Sequence, residues 1–206
     1  MITDYASLAA AIASHTNRDD LDGDIPRFVQ MTEVYLQRRL RTLDMETQAY
    51  SLVSDEEVTV PADLLSIRSI YMEGEPELPL TAVSPAALAG EFQGMQGTPS
   101  AYSLTGNTIR LSPKPAEEVN LTITYLAKFT PLTENTDNWI IRNHPDVYFY
   151  GTLAQAMLFL KDPDAAAIGS VFEAAVNNLA TSRAMDRWGP GLTIPTGVRQ
   201  VAGARC

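Results

Sequence analysis

Residues 118–125 read EVNLTITY, and this stretch decides the fold class. Val119, Leu121, Ile123 and Tyr125 alternate with polar residues. Alternate side chains of a strand point to opposite faces, so the pattern predicts a strand with one buried face and one solvated face. Strands of this kind are typical of antiparallel sheets, and the stretch therefore indicates an antiparallel sheet.

The segments before this strand share its period of two, which predicts further strands in the same part of the chain. Gly106 and Asn107 separate two of them and suit a tight hairpin turn. A short helix over residues 84–92 is expected to interrupt the sheet, because Ser84 and Pro85 form a good helix start. The additional predicted strands are centred on residues 58–60, 65–71, 102–104 and 109–111.

The two ends of the chain instead show helical spacing of their apolar residues. The pattern predicts helices over residues 3–14 and 25–43 and two more between 147 and 188, which meet at Asp162 and Pro163. Within the second helix, Arg39 lies near the edge of the apolar stripe. We expect it either to form a structural ion pair or to lay its apolar stem along the stripe with its charged head in water.

Together these patterns predict an α+β fold. The N-terminal helices and the C-terminal helix pair form a helical bundle from residues 1–48 and 138–188. An antiparallel β-sheet domain, residues 49–137, is inserted into it. Gly189, Pro190 and Gly191 end the last helix, and residues 189–206 form an extended C-terminal tail.

The charge balance argues against tight, sequence-independent binding of nucleic acid. The chain has 25 acids against 15 bases and a formal net charge of −10, so it repels a phosphate backbone overall. Arg38, Arg39 and Arg41 form the one basic cluster. Cys206 is the single cysteine, so no disulfide can form within the chain.

No motif for phosphate binding, nucleophilic catalysis or zinc binding occurs, and His15 and His144 are far apart in sequence. We therefore expect no catalytic residue, no metal and no cofactor. One enzymatic alternative stays open, since a glycosidase needs only two well-placed carboxyl groups: Glu33 would be the acid of a peptidoglycan-degrading, muramidase-like enzyme. A second alternative is a small soluble binding module with a ligand pocket in its sheet.

Three stretches, taken in order, resemble a known family. They are FVQMTEVYLQRRLRT at 28–42, VTVPADLLSIRSIYM at 58–72, and PSAYSLTGNTIRLSPKPAEEVNLTITYLAKFTPLTENTDNW at 99–139, the last followed by HPDVYFYGTLAQAMLFLKD. This arrangement is similar to the head-to-tail adaptor, or connector, proteins of short-tailed bacteriophages.

The resemblance implies a structural virion protein without catalytic residues. Such adaptors form a homo-oligomeric ring, usually of twelve copies, beneath the portal protein. The ring extends the channel through which DNA passes without specific binding, and it docks tail nozzle or tail fibre proteins. The expected location is the head–tail junction of the virion, after assembly in the host cytoplasm, with no membrane involved.

The family's C-terminal segments often embed in the portal, and the tail of this chain suits that role. Its apolar residues are spaced so that they fill pockets on a neighbour, and its arginines pair with acids there. A ring or tail interface is expected at Arg38, Arg41 and Trp139. The expected portal-interface residues are Trp188, Leu192, Ile194, Val198, Arg199, Val201 and Arg205.

Overall fold

Six helices and ten strands make up the part of the chain that the computed structural model describes, which is residues 1–18, 20–74, 78–91, 95–133 and 136–186. The helices are α1 Tyr5–Thr16, α2 Ile25–Arg39, α3 Pro85–Glu91, α4 Trp139–Asn143, α5 Pro145–Leu160 and α6 Ala165–Asp186. The strands are β1 Glu46–Val53, β2 Glu57–Thr59, β3 Leu64–Met72, β4 Leu78–Pro79, β5 Thr81–Ala82, β6 Gln96–Gly97, β7 Ala101–Thr105, β8 Thr108–Ser112, β9 Lys114–Pro115 and β10 Val119–Ala127. The predicted α+β class is confirmed.

The first helix starts at a capping box. The Asp4 carboxylate accepts a hydrogen bond from the Ser7 backbone N–H at 2.8 Å, and the Ser7 hydroxyl accepts one from the Asp4 backbone N–H at 3.1 Å. This exchange satisfies backbone N–H groups that have no partner inside the helix.

The prediction that the second helix extends to residue 43 is wrong, because α2 ends at Arg39. Leu40 already has an extended backbone (φ −80°, ψ 134°), although its side chain is fully buried, which explains why the apolar stripe continues past the helix end. The Arg41 guanidinium donates to the Gln37 carbonyl at 2.7 Å and to the Leu40 carbonyl at 2.5 Å, so it satisfies acceptors at the helix terminus. A 3-10 turn, Leu43–Met45, then leads into β1.

Helix α5 is the centre of the bundle and packs against α1, α2, α4 and α6. It is apolar around most of its circumference, as a buried helix should be. Gly151 and Ala154 lie buried inside the bundle. A Cβ at Gly151 would lie 2.4 Å from Thr32 Cγ2 and 2.8 Å from Phe172 Cε2, so its absence lets α2 and α6 approach α5 closely.

The strands form two four-stranded sheets that share one apolar core, with a separate two-stranded pair, β6–β9. The strand order is β1-β10-β3-β4 in the first sheet and β2-β8-β7-β5 in the second. The chain crosses from the first sheet to the second twice, once between β1 and β2 and once between β4 and β5. Most pairings are antiparallel as predicted, but β5–β7 and β6–β9 are parallel.

The strand EVNLTITY is the second strand of the first sheet and pairs along both edges, with β1 and with β3. Leu121, Ile123 and Tyr125 are buried, as the alternation predicted. The turn between β7 and β8 also confirms its prediction, since Gly106 adopts a φ of 60°, which glycine tolerates well.

The bundle has its own apolar core, and few residues of the sheets reach it. Leu126, near the end of β10, is buried in the bundle core, and Leu65 of β3 packs against it. Phe129 and Leu132, which follow β10, are buried in the same core. The bundle and the sheets therefore meet at the end of β10 that lies next to the bundle.

The predicted tail, residues 189–206, and the predicted helix end near Arg187 and Trp188 lie outside the described residues. Among the residues that are described, no helix combines the length and the apolar character needed to cross a membrane.

Candidate interaction surfaces

A buried carboxyl group joins the helical bundle to the segment that returns from the sheets. Glu33 of α2 is only 6% exposed. Its Oε1 accepts a hydrogen bond from the Leu132 backbone N–H at 2.6 Å and another from the Tyr148 hydroxyl at 2.8 Å. One oxygen of Glu33 therefore holds α2, the returning segment and α5 together.

Asn138 extends this network to the start of α4. Its amide nitrogen donates to the Tyr148 hydroxyl at 2.7 Å and to the Thr130 carbonyl at 2.8 Å. Its amide oxygen accepts from the backbone N–H groups of Ile140 and Ile141, which makes it the N-cap of α4. All the hydrogen-bonding groups of this buried side chain are used.

No basic side chain among the described residues pairs with Glu33, Tyr148 or Asn138 in this network. Burial raises the pKa of Glu33 above its ordinary value, and the hydrogen bonds from Leu132 and Tyr148 offset part of that shift. Burial also raises the pKa of Tyr148, with a further contribution from the nearby Glu33 carboxylate. Arg27, six residues before Glu33 on α2, is engaged elsewhere: it pairs with Asp24 at 3.1 Å and stacks over aromatic rings.

Glu33 lies in the wall of a surface groove of about 590 Å³, which we call the Glu33 groove. Its volume is within the range of ligand sites, roughly 300–1,000 Å³. Glu33 is the one carboxylic acid among the described lining residues, so those residues do not form the pair of carboxyl groups that a glycosidase uses. The described lining residues are Tyr5, Gly23, Pro26, Arg27, Val29, Gln30, Glu33, Pro131, Leu132 and Thr133.

A second surface lies on another side of α2, and we call it the Arg38 face. It is a groove of about 410 Å³ lined by Gln30, Met31, Val34, Tyr35, Arg38 and Gln155. Met31 is 50% exposed and Val34 is 42% exposed, which is high for apolar side chains. Arg38 is exposed and forms no hydrogen bond or ion pair with the described residues. Arg39, by contrast, forms an ion pair with Glu173 at 3.8 Å, which was one of its two expected roles.

The other sequence-predicted interface residues have different surroundings. Arg41 caps α2, as described above. Trp139 is half-buried at the junction of bundle and sheets, where it lines a groove of about 350 Å³ and its ring meets that of His144 edge-on at 6.2 Å. The expected portal-interface residues, Trp188, Leu192, Ile194, Val198, Arg199, Val201 and Arg205, lie outside the described residues.

The outer edge of β1 is a third exposed surface, which the sequence patterns did not indicate. Tyr50 is 69% exposed and Leu52 is 62% exposed, and both point to the same face. The register with β10 is regular from Glu46 to Val53, without a bulge.

Groups of three or more residues that could hold a metal ion do not occur among the described residues. The sequence indicated Glu33 only as a possible acid and gave no indication of Tyr148 and Asn138. A signal was present for Glu33, because Val29, Thr32 and Leu36 place it on the edge of the buried side of α2.

Comparison with known proteins supports the resemblance. A family model described as SU10 adaptor protein matches residues 3–195, which spans both the bundle and the inserted sheets. No curated protein matches the sequence. Because the matched region covers far more than half of the 206 residues, the chain belongs to the SU10 adaptor protein family, a family of phage adaptor proteins.

Proposed function

We propose that the protein forms a homo-oligomeric ring of twelve copies at the head–tail junction of a virion. The ring lies beneath the portal protein, extends the DNA channel and docks the tail nozzle or tail fibres. The family match over residues 3–195 carries this proposal, because it includes the whole described fold and not one common helix pair. No step of this role needs a cofactor or a catalytic residue.

The charge distribution supports a channel role. Residues 49–137 contain twelve acids against four bases, and two of those bases are already paired, Arg110 with Glu56 at 2.7 Å and Lys114 with Asp55 at 3.0 Å. An acidic wall repels the phosphate backbone, so DNA slides past it without being held. Only two further bases, Arg68 and Lys128, are available for binding DNA in this part of the chain.

The proposal assigns portal attachment to the tail, residues 189–206. This segment has Arg199 and Arg205, no acid, and spaced apolar residues. A segment of this composition gains its apolar contacts from a partner and spans several partner subunits as it binds.

Reconstitution with the portal protein of the same phage tests the proposal. Cryo-microscopy of the mixture should show a ring of the full-length chain on the portal. A variant lacking residues 190–206 should keep the thermal unfolding transition of the full-length chain and fail to attach. A full-length chain that stays monomeric beside intact portal rings would contradict the ring. Normal attachment of the truncated variant would contradict the role of the tail alone.

The enzymatic alternative draws on one observation, the raised pKa of Glu33 beside a groove. A general acid needs such a pKa, but Oε1 of Glu33 already accepts two structural hydrogen bonds, and the described groove lining offers no second carboxylate. We therefore propose a structural role without hydrolysis. Zymography on peptidoglycan should give no clearing; clearing that disappears in Glu33→Gln would reverse this assignment.

A further inference from the structure

Glu33 presents an unused acceptor to the solvent. Its Oε1 takes both hydrogen bonds, whereas Oε2 accepts none from the described residues. Oε2 is not enclosed by the protein and keeps contact with solvent. Because Glu33 lines the Glu33 groove, Oε2 opens onto that groove. A carboxyl group held in this way, 6% exposed and without a hydrogen bond or ion pair to a base among the described residues, is a built acceptor for a cationic group.

The Arg38 face offers the complementary chemistry on the same chain. Arg38 is an exposed guanidinium without a partner among the described residues, and it lies beside the exposed side chains of Met31 and Val34. Arginine suits this contact because its planar donors match a carboxylate and it is less strongly hydrated than lysine. Apolar walls are available to receive its neighbours, since Pro26, Val29, Pro131 and Leu132 line the Glu33 groove.

Helix geometry prevents the two groups from meeting within one chain. Arg38 follows Glu33 by five residues, which places it about 140° further round α2 and about 7.5 Å along its axis. No hydrogen bond or ion pair joins the two side chains in the structure. Each group is therefore available to a partner from outside its own chain.

We infer that Arg38 of one copy inserts into the Glu33 groove of the next copy, with Met31 and Val34 covering the rim. The contact joins two different faces of the same chain, which is what a closed ring requires of each subunit. The inference rests on the proposed ring and names the contact that builds it.

A double-mutant cycle on the full-length chain tests the pairing. Assembly is followed by sedimentation velocity over a range of concentrations, with and without portal rings. Glu33→Gln keeps the acceptor for Leu132 and Tyr148 and removes the charge; Arg38→Ala removes the guanidinium. Each should raise the concentration needed for half-maximal assembly at least tenfold, and the double variant should be about as impaired as the worse single variant. Arg68→Ala is the control, because Arg68 is an exposed arginine of β3 outside both surfaces, and it should assemble like the wild type.

The outcomes separate the inference from the proposed function. A wild-type chain that assembles on the portal, with both single variants assembling equally well, overturns the Arg38–Glu33 contact and leaves the ring standing. Single-variant effects that multiply in the double variant overturn the direct pairing as well. A wild-type chain that does not assemble at all overturns the proposed function, and the inference falls with it.

Cross-linking provides a readout that leaves Glu33 and Arg38 intact. Two single-cysteine variants are made, and each also carries Cys206→Ser, so that the introduced thiol is its only thiol. One variant has Gly23→Cys in the Glu33 groove, where an added Cβ meets nothing within 4 Å; the other has Val34→Cys on the Arg38 face. A short bis-maleimide should link assembled mixtures of the two variants into covalent dimers. Assembled mixtures that give no covalent dimer overturn the contact.

Discussion

Glu33 shows how far a single residue can be understood from the sequence. A glutamate within a helix is usually exposed or ion-paired, and this was the expectation for Glu33. Its position beside Val29 and Leu36 indicated partial burial. What the sequence could not supply is the partner set, because Leu132 and Tyr148 lie 99 and 115 residues away and meet Glu33 only in the folded chain.

The raised pKa of Glu33 predicts a pH dependence of stability. The folded protein holds the Glu33 proton at pH values where the unfolded chain has released it. This stabilisation is therefore complete below the ordinary glutamate range near pH 4.5 and is lost as the pH rises through the folded-state value. The stability of the wild type minus that of Glu33→Gln should fall with rising pH in this window, by up to about 1.4 kcal/mol per pH unit. Urea unfolding at a series of pH values measures the difference, and a difference that is flat or rises with pH contradicts the burial of Glu33.

At the scale of elements, a strand or helix could be predicted from the sequence where one of its faces carries apolar side chains and the other carries polar ones. β10 was predicted because large apolar residues alternate with polar ones. β1 was missed because its large apolar side chains lie on the exposed face. Tyr50 and Leu52 are exposed, while the small Ala49 and Ser51 point toward the core. Helix α4 was missed because five residues are too few to show a period. The inverted arrangement of β1 reflects packing against other elements, which a local pattern does not contain.

Two glycines in neighbouring helices give a matched test of the packing around α5. Gly151→Ala should lower the free energy of unfolding by about 1–3 kcal/mol, because the new Cβ overlaps Thr32, which is fully buried, and the ring of Phe172. Gly169→Ala in α6 meets nothing within 4 Å and should stabilise the protein by up to about 1 kcal/mol through its higher helix propensity. Urea unfolding of both variants decides the matter, and a neutral Gly151→Ala would show that α2 and α6 are not packed as closely as described.

At the scale of the whole molecule, the sequence predicted a bundle with an inserted sheet because the period of the apolar residues changes from helical to two and back. The division into two sheets and the two crossings between them could not be predicted from the sequence, because strand order depends on contacts between distant segments such as β1 and β10. The structure also shows that the two parts have separate cores. Among the buried residues described in the bundle core, Leu126 alone comes from β1–β10.

Separate cores predict that the bundle folds without the sheets. Glu46 and Leu126 are directly paired, so an Asn-Gly turn can replace residues 47–125 between them. We expect this variant to keep its helical far-UV circular dichroism and a cooperative thermal transition. Adding Leu153→Ala, a fully buried residue of α5, should destabilise it by about 2–5 kcal/mol and show that the transition reports the bundle core. A melt without cooperativity would mean that the bundle depends on the sheets.

The pairing of β1 with β10 also has a mechanical consequence. β1 leaves the bundle and β10 returns to it, side by side over eight residue pairs. A force that draws the sheets away from the bundle therefore pulls both strands from the same end and in the same direction. Two covalent chains share the tension, and the hydrogen bonds between them are not sheared, because neither strand slides past the other. A force on the sheets is thus transmitted to the helices through both strands, which share it side by side.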